Sequence, residues 1–165
     1  MQWYQITPII DNLIEHYLQV ENTEDGLLED VETINIGFNN EFTTDTPFVW
    51  VFPQATTDYD SNINISNRQK LVDEYVFLCC HEADTMEDAE KNTRELSARV
   101  AQSILKNINK TFPDTITPQH IFHYARIKQR FGTDEYVNVM GKREKLPTIA
   151  LVMEFVYTVE VPYCR

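Results

Sequence analysis

Before Arg68 the chain has no lysine and no arginine. Residues 1–67 carry 12 of the 26 acidic residues and none of the 14 basic ones, so the formal charge of −12 lies in the first two fifths of the chain. Residues 68–165 hold 14 acids and 14 bases. A surface built from the first segment carries a field of one sign. It repels DNA and anionic membranes and steers basic partners towards it. The same segment contains Ile9, Ile10, Leu13, Ile14, Tyr17 and Leu18, then the run Phe48 to Phe52. That is core material, so the expectation is a folded acidic surface and not a disordered acidic tail.

Other absences narrow the class. Glycine occurs 4 times, and no glycine-rich phosphate loop is present. No low-complexity stretch, repeat or Gly/Ser linker marks a domain boundary. The 165 residues, 42% of them hydrophobic, therefore read as one domain, 1–165, with a real core. No apolar run approaches about 18 residues, which argues against a membrane span. The opening Met-Gln-Trp-Tyr-Gln lacks the basic and apolar regions of a signal peptide. With 3 cysteines, two of them adjacent, a disulfide framework is not expected and a reducing compartment is.

The periodicities that are present predict an α+β domain: a mainly antiparallel mixed sheet with two helices packed on one face. Thr7-Pro8 suits a helix start, and apolar residues at 9, 10, 13, 14, 17 and 18 follow at helical spacing. Residues 31–38 alternate like a strand. Phe48–Phe52 reads as a strand buried on both faces, stopped by Pro53. Residues 54–67 then form a long polar loop, a length that is often functional. A strand follows over 69–80. The spacing predicts a long helix over 85–110. Thr85 or Asp84 caps it, acids open it, Lys106 and Lys110 close it, and Leu96, Val100 and Ile104 make its buried stripe. At ~1.5 Å per residue that helix is roughly 39 Å long. Residues 119–131 fit either helix or strand. Gly132 and Gly141 bracket a hairpin or extended loop. Over 148–161 every second residue is apolar, a strand long enough to suggest that a partner, or a long facing hairpin, uses its excess.

Chemical motifs are thin. Cys79-Cys80-His81-Glu82 at a strand end puts adjacent thiols on opposite faces, where they chelate one ion poorly; the ordinary reading is two small buried thiols. Asp58, Asp60, Asn62 and Asn64 alternate like the start of a calcium loop. Ile63 and Gln69, however, occupy the places where such a loop needs Gly and Glu, so an Asx-rich surface loop is the better reading. His16, His81, His120 and His123 have no nucleophile motif beside them. No catalytic, cofactor or metal site is assigned, and an enzyme is not expected. Arg126, Lys128 and Arg130 alternate, with Lys142, Arg143 and Lys145 beyond. On a strand the first three would share one face. A solvated face is the plain reading; a basic surface meeting the acidic half of a neighbouring copy is the sharper one.

Arg68-Gln-Lys-Leu-Val-Asp-Glu-Tyr75-Val-Phe-Leu, an acidic turn, and a long amphipathic helix through Leu96 and Leu105 resemble tail terminator proteins of long-tailed bacteriophages, also called tail completion or neck proteins. An opening helix and a long closing strand complete the same element order. The likeness is of elements and covers most of the chain; the acidic 21–46 stretch and the 132–146 loop look like additions. The resemblance implies a structural virion protein of the tail or neck, assembled in the host cytoplasm. It implies a homo-oligomeric ring, typically a hexamer, that caps the tail tube and joins it to the head–tail connector. The implied partners are further copies, the tail tube protein and the connector protein. It implies no catalysis, cofactor, membrane or specific nucleic-acid contact, although DNA passes through such a ring. Asp58, Asp60, Asn62, Arg126, Lys128, Arg130, Lys142, Arg143 and Lys145 are the candidate contacts between subunits or rings. The alternatives are another neck or head–tail adaptor protein, a monomeric acidic adaptor domain, and a small hydrolase using His120 or His123.

Overall fold

The second helix shows how local sequence builds this fold. In the computed structural model, which describes residues 3–37, 46–59, 68–110, 121–138 and 145–160, helix α2 spans Met86–Asn107. Thr85 is its N-cap, the hydroxyl accepting from the Asp88 N–H at 3.1 Å, which satisfies one of the helix's orphan donors. Leu96, Val100 and Ile104 are fully buried, as their spacing predicts, whereas Met86 is exposed at the helix start. The helix ends short of the predicted residue 110. At Asn107 the side-chain amide turns back to the Ser103 carbonyl at 2.8 Å and across to Glu21 Oε1 at 3.0 Å.

Helix α1 spans Trp3–Gln19, starting ahead of Thr7-Pro8 and carrying Pro8 inside. Thr7 does not cap it; its hydroxyl donates to the Trp3 carbonyl at 3.0 Å. Proline removes the bond to the carbonyl four residues back. Here that carbonyl belongs to Tyr4, on an exposed first turn where water can take it. Ile6, Ile10, Leu13, Ile14, Tyr17 and Leu18 form the buried face. The acidic stretch after α1 is folded too. Asn22 donates to the carbonyls of Leu28 and Val31 at 2.6 and 2.9 Å, and Leu28 and Val31 are core residues. Gly26 is required there, because a Cβ would stand 2.1 Å from the Glu21 carbonyl oxygen.

Among the described residues five strands form one sheet in the order β1-β2-β3-β5-β4. They are β1 (Thr33–Ile36), β2 (Phe48–Asp58), β3 (Arg68–Cys80), β4 (Phe122–Asn138) and β5 (Lys145–Glu160). Only the β1–β2 pairing is parallel. The α+β class and the mainly antiparallel sheet are therefore as expected. Three expectations change. Strand β2 does not stop at Pro53. It passes through a register shift between Pro53 and Ala55 and pairs on to Asp58↔Leu71. Pro53 itself stands opposite Tyr75 and the ladder skips Gln54; a bulge is one of the places where a strand tolerates proline. Residues 119–131 resolve as strand from Phe122, and β4 runs on through Gly132. The length of β5 needs no outside partner, because β3 and β4 pair with it on either side.

Both helices cover the sheet face that carries Val49, Val51, Tyr75, Phe77, Leu151, Met153 and Phe155, and together these residues form the main core. On the other face Val76, Ala150 and Val152 are buried, with Phe52 and Leu78 packed against them. No helix among the described residues is long and apolar enough to cross a membrane.

Candidate assembly surface

The strand order sets strands of the segment without bases apart from β4. The segment without bases supplies α1, β1 and β2, and so one edge of the sheet; β4, with Arg126, Lys128 and Arg130, is the other edge. Part of this separation is cancelled inside the chain. Asp30, just before β1, takes a paired contact from Arg99 of α2, at 2.5 and 3.1 Å, with His81 Nε2 at 3.3 Å. The Arg99 bond holds the Asp30 carboxyl below its usual range, against the desolvation that opposes it. Glu21 is buried and receives Lys106 Nζ at 2.9 Å, Asn107 Nδ2 at 3.0 Å and the Leu27 N–H at 3.2 Å. Burial alone would raise its carboxyl; these donors outweigh that and hold it at about 2.

The three alternating bases of β4 do not share a face. A register shift between Ile127 and Gln129 breaks the alternation. Arg126 reaches Glu154 of β5 at 2.5 Å, and Lys128 reaches Glu74 of β3. Both carboxylates stand on the face away from the helices. Arg130, opposite Leu151, turns to the helix side, where its guanidinium meets the Ser97 hydroxyl of α2 at 3.3 Å. Two of the three charges are thus matched by carboxylates of this chain, from strands that a linear reading does not bring together.

Asp58 is exposed at the end of β2, in strand and not in the predicted loop 54–67. Beside it Tyr59 packs edge-on against Tyr124, ring centres 6.3 Å apart, with Lys70 Nζ 4.3 Å from the Tyr59 ring centre. Asp60, Asn62, Lys142 and Arg143 lie outside the described residues. Lys145 opens β5 opposite Asn138. That end of the sheet is an arm of two strands. The β3–β5 ladder ends at Cys79↔Ile149, while β4 and β5 continue through Thr133↔Thr148 to Asn138↔Lys145. A two-stranded ladder is marginal by itself, so a projecting arm is a natural contact element.

The residues weighed for chemistry are placed as packing groups. Cys79 and Cys80 are buried on opposite faces, as adjacent strand residues must be. Burial raises both thiols, that of Cys80 to about 12, so neither is a thiolate near neutrality. His81 Nδ1 lies 2.8 Å from the Glu82 carbonyl oxygen, and His123 Nε2 lies 2.7 Å from the Thr158 hydroxyl. His16 is half-buried on α1, and His120 is outside the described residues. Among the described residues no three His, Cys, Asp or Glu side chains group as metal ligands.

One polar cluster escaped the linear reading. Under α1 the Tyr75 hydroxyl donates to the Asp11 carboxylate, and the Thr56 hydroxyl donates to buried Asp73 at 2.7 Å. Desolvation raises the Asp73 carboxyl, the Thr56 bond lowers it, and the negative Asp11 nearby adds to the rise. The signal was available: Asp73 interrupts the apolar series Leu71, Tyr75, Phe77 and Cys79 on the core face of β3.

No family model matches this sequence, and no curated protein matches it. Among solved structures, a chain from the virion of a native gene transfer agent particle is similar in fold. It has a TM-score of 0.52 at 10% identity, over 88% of this chain and 91% of that one. The fold is shared with a virion chain. At 10% identity the likeness is one of fold alone. A sheath/tube terminator of an extracellular contractile injection system (PVC, extended state) is 14% identical with a TM-score of 0.39, over 88% of this chain and 57% of that one. That likeness is too loose to argue from. The α+β element order read from the sequence is matched, in the first comparison, over 88% of this chain.

Proposed function

We propose that this chain is a structural protein of a tailed, phage-like particle: a terminator whose copies form a ring, cap the tail tube and join it to the head–tail connector. The observation that carries this is the fold likeness to a virion chain, which spans 88% of this chain and 91% of the other. Two features support a ring. The strands from the segment without bases and the base-bearing β4 lie on opposite sides of one sheet. Contacts between unlike surfaces propagate head to tail and close when the rotation allows. The β4–β5 pairing runs past β3 to Asn138↔Lys145, and in this reading Lys142, Arg143 and Lys145 meet an acidic surface of another copy or of an adjoining ring. Asp58, Asp60 and Asn62 contribute to contacts between rings in the same reading. The role is geometric and non-catalytic, and its setting is the virion.

The test is direct. Purified chain, alone or with tube protein, should give rings by negative-stain electron microscopy and a multiple of the monomer mass by light scattering. Particles assembled without it should carry tubes not joined to heads. Normal joining in its absence would overturn the proposal. A second reading, a monomeric acidic adaptor, is favoured by the internal pairing of Asp30 with Arg99, Glu21 with Lys106, Arg126 with Glu154 and Lys128 with Glu74. It predicts one copy per particle contact and a monomer at every concentration.

A further inference from the structure

Asp73 and Glu21 are both buried, 7% and 4% exposed, yet their surroundings differ. Glu21 holds Lys106. Asp73 stands on the core face of β3 near a second carboxylate, Asp11 of α1, and among the described residues no basic group acts on it. Its other neighbours come from three strands. Thr56 of β2 donates to it at 2.7 Å. Tyr75, two places along β3, donates to Asp11. Tyr157 of β5 is fully buried, its hydroxyl directed to Asp73 and to the Trp3 side chain of α1. Asp58 of β2 lies two residues further along, opposite Leu71.

Such a site suits a neutral carboxyl better than an ionised one. A buried carboxylate with no cation and a like charge nearby is disfavoured. A protonated Asp73 still accepts from Thr56 at one oxygen and offers its O–H to the Tyr157 oxygen. Burial raises the Asp73 carboxyl, the Thr56 and Tyr157 hydroxyls offset part of that, and Asp11 adds to the rise. Burial raises the Tyr75 and Tyr157 phenols as well, so both stay neutral wherever carboxyls titrate.

Two members of the cluster, Trp3 and Asp11, ride on α1, with Pro8 between them. Proline removes one helical bond there, which weakens the tie between the first turn and the rest of the helix. Lifting α1 would take Asp11 away from Asp73 and let water reach the Asp73 carboxyl. The helix and the proton are therefore linked.

We infer that α1 is a proton-dependent latch on the sheet: it is held down while Asp73 carries a proton and loosens as that proton is lost. The sign follows from linkage. The closed state binds the proton more tightly than the lifted one, so rising pH favours lifting. Through a single group the opening constant rises at most about tenfold per pH unit, from the ordinary aspartate range up to the value of Asp73 in the closed state. The latch makes no use of the assembly reading, so its failure would leave that reading standing.

The test uses the full chain. Native-state hydrogen exchange from about pH 4 to 8, corrected for the intrinsic rate of each amide, gives an opening constant for each helix. Those of residues 10–18 in α1 should rise with pH, while those of residues 96–104 in α2 stay level. Asp73→Asn keeps the acceptor for Thr56 and removes the titration, so the slope in α1 should vanish and opening at neutral pH should fall below wild type. Glu15→Gln, a carboxylate change on the exposed side of the same helix, should keep the slope. Carboxyl carbon NMR of the wild-type chain reads the group directly, and Asp73 should titrate above the ordinary aspartate range. The latch is overturned if α1 and α2 open in step, if the slope persists in Asp73→Asn, or if Asp73 titrates as an ordinary aspartate.

Discussion

The two edges of the sheet are protected in different ways. Strand β1 has 4 residues, pairs in parallel with β2 and follows a folded acidic stretch tied to α2 through Asp30 and Glu21. Strand β4 has 17 residues and pairs along β5 with three register shifts. It carries Arg126, Lys128 and Arg130. Short length guards the first edge; bulges and long charged side chains guard the second. The difference teaches what each edge depends on. An edge bent at three places is a poor template for an added strand. The β1 edge depends on buried polar bonds to α2, and is correspondingly sensitive to losing one of them.

The largest effect should come from removing the pillar that both edges share. Leu96 is fully buried under α2, and Leu96→Ala is expected to cost about 2–5 kcal/mol in urea unfolding. Wild-type stability in that variant would mean that the helix does not hold the sheet.

The next change separates the edges. Glu21→Ala leaves the buried Asn107 amide without its carboxylate partner, at a cost of about 1–3 kcal/mol. Hydrogen exchange should rise in 20–32 while the β4–β5 ladder keeps its protection. Equal loss at both edges would break the comparison. The same carboxylate sets a pH dependence. Its folded value is held at about 2, below the ordinary carboxylate range. Its stabilisation is therefore fully present above about pH 4.5 and is lost as pH falls through about 2. Asp73 acts in the opposite sense, because its carboxyl is raised. Its ionisation costs stability as pH rises, so Asp73→Asn should stabilise the fold at neutral pH while still accepting from Thr56. Thermal melts across pH 2–7 read both signs.

The smallest effect is at β4. Arg126 and Lys128 are exposed, although Glu154 is buried and Glu74 half-buried, and solvent screens what such open-sided pairs add to stability. The double Ala variant should melt nearly as wild type. If the charges guard the edge, it should nevertheless aggregate faster, measured by light scattering at equal stability.

What residues separated by three or four positions decide, the sequence determined alone. The cap at Thr85, the acids that open α2 and the Leu96, Val100, Ile104 stripe act within one helix, where geometry is local. Alternation along 149–159 likewise announced β5. Tertiary structure decided the rest, because ladders and ion pairs join residues far apart in the chain. Pairing with β3 carried β2 past Pro53. Filling both sides of β5 removed the argument from its length. Of the candidate contacts, the shift at Ile127 parted Arg130 from Arg126 and Lys128, and Glu154 and Glu74 took two of those charges. Arg130 faces α2 because of a bulge. A bulge reverses the side-chain alternation that follows it, and nothing in the linear spacing of Arg126, Lys128 and Arg130 records that reversal.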